Sequence, residues 1–361
     1  MKKTIKLFDP TIDSSERKIL TKVLESKFWA SGSGSGHVKQ FENQFQNYVK
    51  SKSCVAVNSG TAALNLAFSL FNIKNKEVIL PSMSFVSTAH CIVENGGIPI
   101  FVDIDPNTLC IDPEKIKTKI SNKTVAILPV HFGGMSCDLN KIQKIAKSSN
   151  LLIIEDAAHA VGTKFNNKKI GSHGTIVCFS FHPVKNLAMP TGGLLSINHK
   201  NHKKLTNKLF SRRWCGITNR NLSDYDVEEL GWNYYMNEFS ASIGLVQLKK
   251  LDKLNRIRQK IAKQYSTEIN HEAKMSFNKN CSYHLYWLLV KNRENLREKL
   301  TKHGIETGTH YKPIHKMTMY HTSSKLTITE KVGKEIITIP IHPNLKPSEI
   351  KKIISTINRF V

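Results

Sequence analysis

Short apolar runs recur along the first half of the chain and alternate with longer stretches of helical spacing. The runs cover residues 54–57, 77–80, 98–102, 125–130, 151–154, 175–179 and 193–197. Several are continuously apolar, which is typical of strands covered on both faces, and the stretches between them suit crossover helices. The pattern predicts an α/β fold with a mostly parallel sheet.

The pattern changes in the last third of the chain. Residues 237–265 predict one long helix, with apolar residues at helical spacing and a strongly basic end. A strand-like segment at 283–290, a charged helix at 293–303 and a closing helix at 347–360 follow. We therefore predict a large α/β domain over residues 1–255 and a smaller C-terminal α+β domain over residues 256–361.

The chain is strongly basic, with 53 Lys and Arg against 28 Asp and Glu and a formal net charge of +25 among 361 residues. Such a balance first suggests nucleic acid. Only nine of the basic residues are arginines, the side chain that base and phosphate recognition favours, and the lysines are scattered singly or in pairs. We therefore expect no nucleic-acid partner. Most of the lysines are interpreted as solvated surface residues, and attraction of a polyanionic small substrate or of an anionic surface is the alternative.

Cysteine usage and hydropathy favour a cytoplasmic protein. The seven cysteines include no C-x-x-C pair, so neither a disulfide framework nor a metal site is predicted. No stretch approaches the roughly 18 apolar residues of a membrane span, and residues 1–10 contain no apolar segment of signal-peptide length. We expect a cytoplasmic protein without a membrane span.

Candidate ligand-binding residues follow the predicted strands, because ligands of open α/β sheets bind at the carboxyl ends of the strands. These positions hold residues 59–61, residues 81–85, Asp103, His131, residues 155–156 and residues 180–185. The glycine-rich stretch SGSGSG at 31–36 has no strand before it, so a loop is favoured over a nucleotide fingerprint.

Three of these positions together describe a cofactor site. The small-residue turn NSGTAAL at 58–64 follows one run and opens a helix, where free amides and the helix dipole favour a phosphate; a plain N-cap is the alternative. Asp156 follows another run, at 151–154, and could hold a heterocyclic nitrogen protonated. Lys185 lies between a proline-stiffened turn and Gly192-Gly193, and a desolvated lysine there would attack a carbonyl. The combination predicts pyridoxal phosphate.

The sequence also resembles the DegT/StrS-type nucleotide-sugar aminotransferases. The matching segments are NSGTAAL (58–64), PSMSFVSTA (81–89), FVDIDPNTLCID (101–112), EDAAHAVG (155–162), FSFHPVKNL (179–187), GWNYYMNEFSASIG (231–244) and THYKPIH (309–315). They occur in family order over nearly the whole chain. The resemblance implies the aspartate-aminotransferase fold, which is fold type I of the transferases that use pyridoxal 5'-phosphate (PLP).

The resemblance also implies roles for individual residues. Lys185 would form the imine with the cofactor aldehyde, and Asp156 would pair with the pyridine nitrogen. The other implied cofactor contacts are Gly60, Thr61 and Ser180 at the phosphate, Phe85 stacked on the ring, and His159 near the ring hydroxyl. Asn233 matches a residue that reaches the phosphate from the other subunit of a homodimer, and His310, Tyr311 and His315 match a stretch near the substrate.

The reaction implied by the family is a transamination in two halves. L-glutamate would give its amino group to the cofactor, with Lys185 as general base and acid, and a keto group of a nucleotide-linked deoxyhexose would receive it. Residues 188–193 and Tyr235 depart from the usual family pattern, which leaves the identity of the sugar open. The alternatives are a PLP-dependent sugar dehydratase of the same fold and a non-catalytic PLP-binding regulator. Some relatives replace the lysine by histidine and remove a hydroxyl, and Lys185 argues against that branch.

Overall fold

The structure, a computed structural model, describes residues 4–221 and 223–361. Its strands are β1 (Ser53–Val57), β2 (Glu77–Pro81), β3 (Ile98–Val102), β4 (Thr124–Ile127), β5 (Leu152–Asp156), β6 (Lys164–Phe165), β7 (Lys168–Lys169), β8 (Ile176–Ser180), β9 (Gly193–Ile197), β10 (Ile217–Asn221), β11 (Asp224–Val227), β12 (Tyr286–Leu289) and β13 (Ile336–Ile339). Its α-helices are α1 (Ser14–Ser26), α2 (His37–Val49), α3 (Gly60–Ser69), α4 (Ser87–Glu94), α5 (Pro113–Lys117), α6 (Leu139–Ser148), α7 (His202–Arg212), α8 (Glu238–Glu268), α9 (Arg293–Lys302), α10 (Thr327–Glu335) and α11 (Pro347–Phe360).

Seven strands form the central sheet in the order β1-β9-β8-β5-β4-β2-β3. The pairs from β8 to β3 are parallel, whereas β9 is antiparallel to both β1 and β8. The carboxyl ends of the other strands therefore lie on one edge of the sheet, together with the amino end of β9. This topology confirms the predicted α/β fold with a mostly parallel sheet.

Successive side chains of the strands enter two different hydrophobic cores, because neighbouring residues of a strand point to opposite faces. On β1, Val55 and Val57 pack with residues of α3 and α4, while Ala56 packs with residues of α2, α6 and α8. Both faces of the sheet are thus covered by helices, as the continuously apolar runs predicted.

The C-terminal part of the chain is built around the antiparallel pair β12–β13 with α9, α10 and α11. Isolated bridges join Gly308 to Thr338 and Ile5 to Ile305, so the N-terminal segment also contacts this part. The 31-residue helix α8 crosses the predicted boundary at residues 255 and 256. The division into domains 1–255 and 256–361 stays a prediction.

The SGSGSG segment packs around a buried arginine. Gly34 has a φ of +72°, and a Cβ there would collide with the Arg213 guanidinium. That guanidinium donates to Glu42 Oε1 at 2.6 Å, to the Ala56 carbonyl at 2.9 Å and to the Ser33 carbonyl at 3.0 Å. Gly34 therefore allows close packing beside this buried ion pair.

Of the helices in residues 4–221 and 223–361, none is long and apolar enough to cross a lipid bilayer.

Candidate active site

A cavity of about 340 Å³ opens at the edge of the sheet where the parallel strands end. Eight of the residues predicted from the sequence line it: Gly60, Thr61, Phe85, Asp156, His159, Ser180, Lys185 and Tyr311. Within the part of the chain that the structure describes, no group of three or more His, Cys, Asp or Glu side chains is arranged to hold a metal ion.

The amino end of α3 forms one end of the cavity. Ser59 is the N-cap, and its Oγ accepts a hydrogen bond from Ala62 N at 3.1 Å. A Cβ on Gly60 would lie 2.7 Å from Ser180 Cβ and 3.2 Å from Ser180 Cα, so only glycine fits between the two segments. The helix dipole and the first-turn amides favour an anion here, and Thr61 and Ser180 supply hydroxyl groups. A phosphate group fits this end of the cavity.

Asp156, the last residue of β5, lies on the cavity wall and is 5% exposed. Its Oδ2 accepts a hydrogen bond from Thr88 Oγ1 at 2.8 Å, and its Oδ1 accepts one from Ala158 N at 3.1 Å. Thr88 Oγ1 also lies 2.7 Å from Ser84 Oγ. Burial raises the pKa of Asp156, although these hydrogen bonds and the Lys185 cation oppose the rise. A protonated heterocyclic nitrogen would supply the positive charge that this buried carboxylate needs.

Lys185 faces the same cavity from the loop that follows β8. Its backbone N–H donates to the His182 carbonyl at 2.8 Å, and the Asn186 amide donates to the Ser282 carbonyl at 2.8 Å and to Asn255 Oδ1 at 3.0 Å. Burial lowers the pKa of Lys185 to about 8, with Asp156 opposing the shift. A substantial neutral fraction therefore exists near physiological pH, which makes the amine nucleophilic and able to accept a proton.

His159 and Tyr311 form a further wall of the cavity. The Gly133 backbone N–H donates to His159 Nδ1 at 3.2 Å, so the neutral ring carries its proton on Nε2, which lies 3.1 Å from the Tyr311 hydroxyl. Burial lowers the pKa of His159 well below its usual range. His159 is thus a neutral donor, the form that suits a hydrogen bond to an anionic ring oxygen.

Phe85 lies at the cavity with 56% of its surface exposed. Its ring centroid is 6.0 Å from that of Tyr311, with the two planes inclined by 57°. A flat aromatic ligand stacked on Phe85 would cover this surface.

Three predicted residues are not among the described residues that line the cavity. His310 is hydrogen-bonded to Thr338 Oγ1 at 2.8 Å, and burial lowers its pKa to about 4. His315 is buried, with its Nδ1 2.6 Å from Ser82 Oγ. Asn233 lies in a shallow depression next to the cavity, which Ser59 also lines. Its role across a subunit interface, like the substrate roles of the two histidines, stays a prediction.

The sequence analysis missed two residues of the site. Thr88 lies one helical turn after Ser84, which is among the candidates at 81–85, and this spacing just after β2 was the available signal. His284 Nε2 lies 3.4 Å from Lys185 Nζ. It falls in a segment with the pattern of a buried strand, so the sequence contained no comparable signal for it.

Pyridoxal phosphate fits the groups that meet at this cavity. The amino end of α3 with Gly60 would hold its phosphate, Asp156 its ring nitrogen and Lys185 its aldehyde, while Phe85 would cover its ring. The glycine whose Cβ site is filled by Ser180, and the buried carboxylate with a raised pKa, are the observations that support this fit.

Comparison with known proteins agrees with this cofactor. Residues 10–358 match the model of the DegT/DnrJ/EryC1/StrS aminotransferase family, whose members depend on PLP. A GDP-perosamine synthase of Escherichia coli O157:H7 is 33% identical over 368 residues, covering 99% of both chains.

Solved structures agree as well. Helicobacter pylori PseC, an aminotransferase of pseudaminic acid biosynthesis, superposes with a TM-score of 0.93 at 27% identity and 99% coverage of both chains. The PLP form of the putative sugar aminotransferase Spr1654 of Streptococcus pneumoniae gives 0.91 at 26% identity, covering 99% of this chain and 98% of that one. These findings confirm the resemblance and the cofactor: the chain belongs to the DegT/DnrJ/EryC1/StrS family of PLP-dependent sugar aminotransferases.

Proposed function

We propose that this protein transfers the amino group of L-glutamate to a keto group of a nucleotide-linked deoxy sugar. The observation that carries the proposal is the meeting of Lys185 and Asp156 at one cavity, beside the amino end of α3. Relatives named as GDP-perosamine synthase and as a dTDP-linked 3-amino-3,6-dideoxygalactose transaminase support the substrate class. The net charge of +25 suits a substrate with a diphosphate.

The residues of the cavity divide the chemistry among them. When bound, the cofactor supplies a reactive aldehyde and a ring that withdraws electrons. Lys185 Nζ, partly neutral because burial lowers its pKa to about 8, would take the proton from the Cα of the amino donor and deliver it to the former aldehyde carbon of the cofactor, so that the amino group stays on the cofactor. The Asp156 carboxylate would form an ion pair with the protonated ring nitrogen, and His159 Nε2 would donate a hydrogen bond to the ring oxygen.

We also propose that the active enzyme is a cytoplasmic homodimer with shared active sites. The position of Asn233 supports this, because it lies beside Ser59 but outside the cavity of its own chain. The exposed rings of Phe28 and Trp29 offer apolar surface for a second copy. Sedimentation equilibrium should give a dimer, and a monomer at all accessible concentrations would contradict the proposal.

The test of the reaction combines L-glutamate with a panel of nucleotide-linked 3-keto and 4-keto sugars. We expect 2-oxoglutarate and an amino sugar in equal amounts, measured by mass spectrometry. Lys185→Ala should abolish both products. Lys169→Ala is the matched control, because burial also lowers the pKa of Lys169 but that side chain pairs with Asp252 outside the cavity.

Two outcomes would replace the proposed reaction. A deoxy sugar formed without a new amine would identify a dehydratase. Bound PLP that glutamate does not convert to its amine form would identify a non-catalytic binding protein.

A further inference from the structure

His284 lies directly behind the reactive lysine. Its side chain is almost fully buried, with 3% of the residue exposed, and its Nε2 is 3.4 Å from Lys185 Nζ. The imidazole stacks on Phe8, with ring centroids 5.5 Å apart and planes inclined by 19°, and its centroid lies 4.5 Å from that of His159. Rings on two sides thus fix the plane of His284.

Backbone hydrogen bonds fix the position of both partners. His284 N donates to the Gly133 carbonyl at 2.9 Å, while Gly133 N donates to His159 Nδ1, so one turn holds both histidines. Gly133 has a φ of +62°, a conformation that favours glycine. On the other side, Asn186 donates to the Ser282 carbonyl at 2.8 Å and ties the lysine loop to the segment before His284. The backbones of the Lys185 loop and of the segment that carries His284 are therefore held together by the fold.

The charged groups around this pair keep His284 neutral. The titratable groups that face His284 or Lys185 are Asp156, His159, His182, His310 and Arg258. Burial, with the Lys185 and Arg258 cations, lowers the pKa of His284 well below its usual range. In the described residues Nδ1 of His284 has no hydrogen-bond partner. The ammonium of Lys185 can only donate, so Nε2 is the acceptor and the proton sits on Nδ1.

We propose that His284 is a positioning residue for Lys185: its Nε2 accepts a hydrogen bond from the free Lys185 ammonium and holds Nζ at the cavity whenever the amine is not linked to the cofactor. The proposal rests on the proposed role of Lys185 as the reactive amine. An acceptor stabilises the charged form of an amine. His284 therefore also sets the pH at which Lys185 becomes a base, opposing part of the effect of burial.

The test measures the protonation of Lys185 in the full-length protein freed of cofactor. Trace labelling with acetic anhydride at a series of pH values, followed by peptide mass spectrometry, gives the titration of individual lysines. The Lys169 peptide of the same digest is the internal control, because its partners are Asp252 and the ring of Tyr48.

Two variants separate the acceptor from the shape of the ring. His284→Phe keeps an aromatic ring between Phe8 and His159 but removes the acceptor, so the pKa of Lys185 should fall by about one unit. His284→Gln places a carbonyl oxygen near the position of Nε2 and should restore most of the wild-type pKa. If the Phe variant does not fold, as judged by circular dichroism, His284→Met replaces it, with the same expectation.

A second measurement follows the capture of PLP by the cofactor-free protein. The rate of PLP incorporation should rise with pH through the pKa of Lys185, and His284→Phe should move this rise to lower pH while His284→Gln does not. The proposal is overturned if the folded Phe or Met variant leaves both titrations of Lys185 unchanged, or if Lys169 shifts equally. Incorporation of PLP at a lysine other than 185 in the wild-type protein would instead refute the proposed function.

Discussion

Replacing Asp156 by asparagine should leave the site intact but remove its negative charge. Thr88 Oγ1, which donates to Oδ2 at 2.8 Å, can turn toward Ser84 Oγ at 2.7 Å and accept a hydrogen bond from the new amide instead. Ala158 N can still donate to the remaining oxygen, at the present distance of 3.1 Å. The variant therefore tests charge with little change in packing.

The size of the effect follows from the burial of the carboxylate. A hydrogen bond to a charged group contributes about 1.5–3 kcal/mol, which corresponds to about ten- to 150-fold in a rate. Asp156 is 5% exposed, so solvent screens its charge little and the upper part of this range applies. We expect the half-reaction with glutamate to slow by about a hundredfold in Asp156→Asn.

The assay is a single turnover of the PLP-loaded enzyme with L-glutamate, followed by the loss of visible absorbance. Ser84→Ala is the control, because it removes the outer hydroxyl of the same chain of hydrogen bonds and leaves the Asp156 charge in place. A rate for Asp156→Asn within about threefold of wild type, below the smallest contribution given above, would refute the assigned role of the carboxylate.

The other predictions concern the phosphate end, the neighbours of Asp156 and the pH dependence. Gly60→Ala should weaken PLP binding by about tenfold or more, because the new Cβ would lie 2.7 Å from Ser180 Cβ. Fluorescence titration measures the affinity for PLP, and an unchanged affinity would contradict the prediction. Thr88→Val removes the donor to Asp156 Oδ2 and should slow the glutamate half-reaction by about three- to tenfold, less than Asp156→Asn; an equal or larger loss would assign Thr88 a different role. Incorporation of PLP into the cofactor-free protein should accelerate as the pH rises through about 8, the pKa of Lys185, because only the neutral amine is nucleophilic; a rate independent of pH from 6 to 9 would contradict this assignment.

The sheet could be predicted because each strand carries its own signal. The runs at 98–102 and 193–197 coincide with β3 and β9, since both are largely apolar and are bounded by polar or glycine residues. The run at 125–130 extends past β4, which ends at Ile127. Pro129 lacks the N–H that a central strand needs, and its carbonyl accepts from Asp156 N instead.

The roles of single polar residues were harder to predict, because their partners are distant in sequence. Asp103 follows β3 and was a candidate for ligand binding, yet its carboxylate accepts hydrogen bonds from Ile328 N at 2.9 Å and Thr329 N at 2.7 Å, at the start of α10. His131 was a candidate for the same reason and lies buried 2.9 Å from Glu155. Both make buried structural contacts with residues distant in sequence, and strand-end position alone does not distinguish them from Asp156.

The central claim is that Lys185 is the amine that captures the cofactor. Borohydride treatment of the purified PLP-loaded protein fixes an amine–aldehyde linkage, and mass spectrometry of the digested chain then locates the modified lysine among the 361 residues. We predict one pyridoxyl group per chain, on Lys185. Modification of a different lysine, or none at all in protein that retains its visible absorbance, would contradict the account.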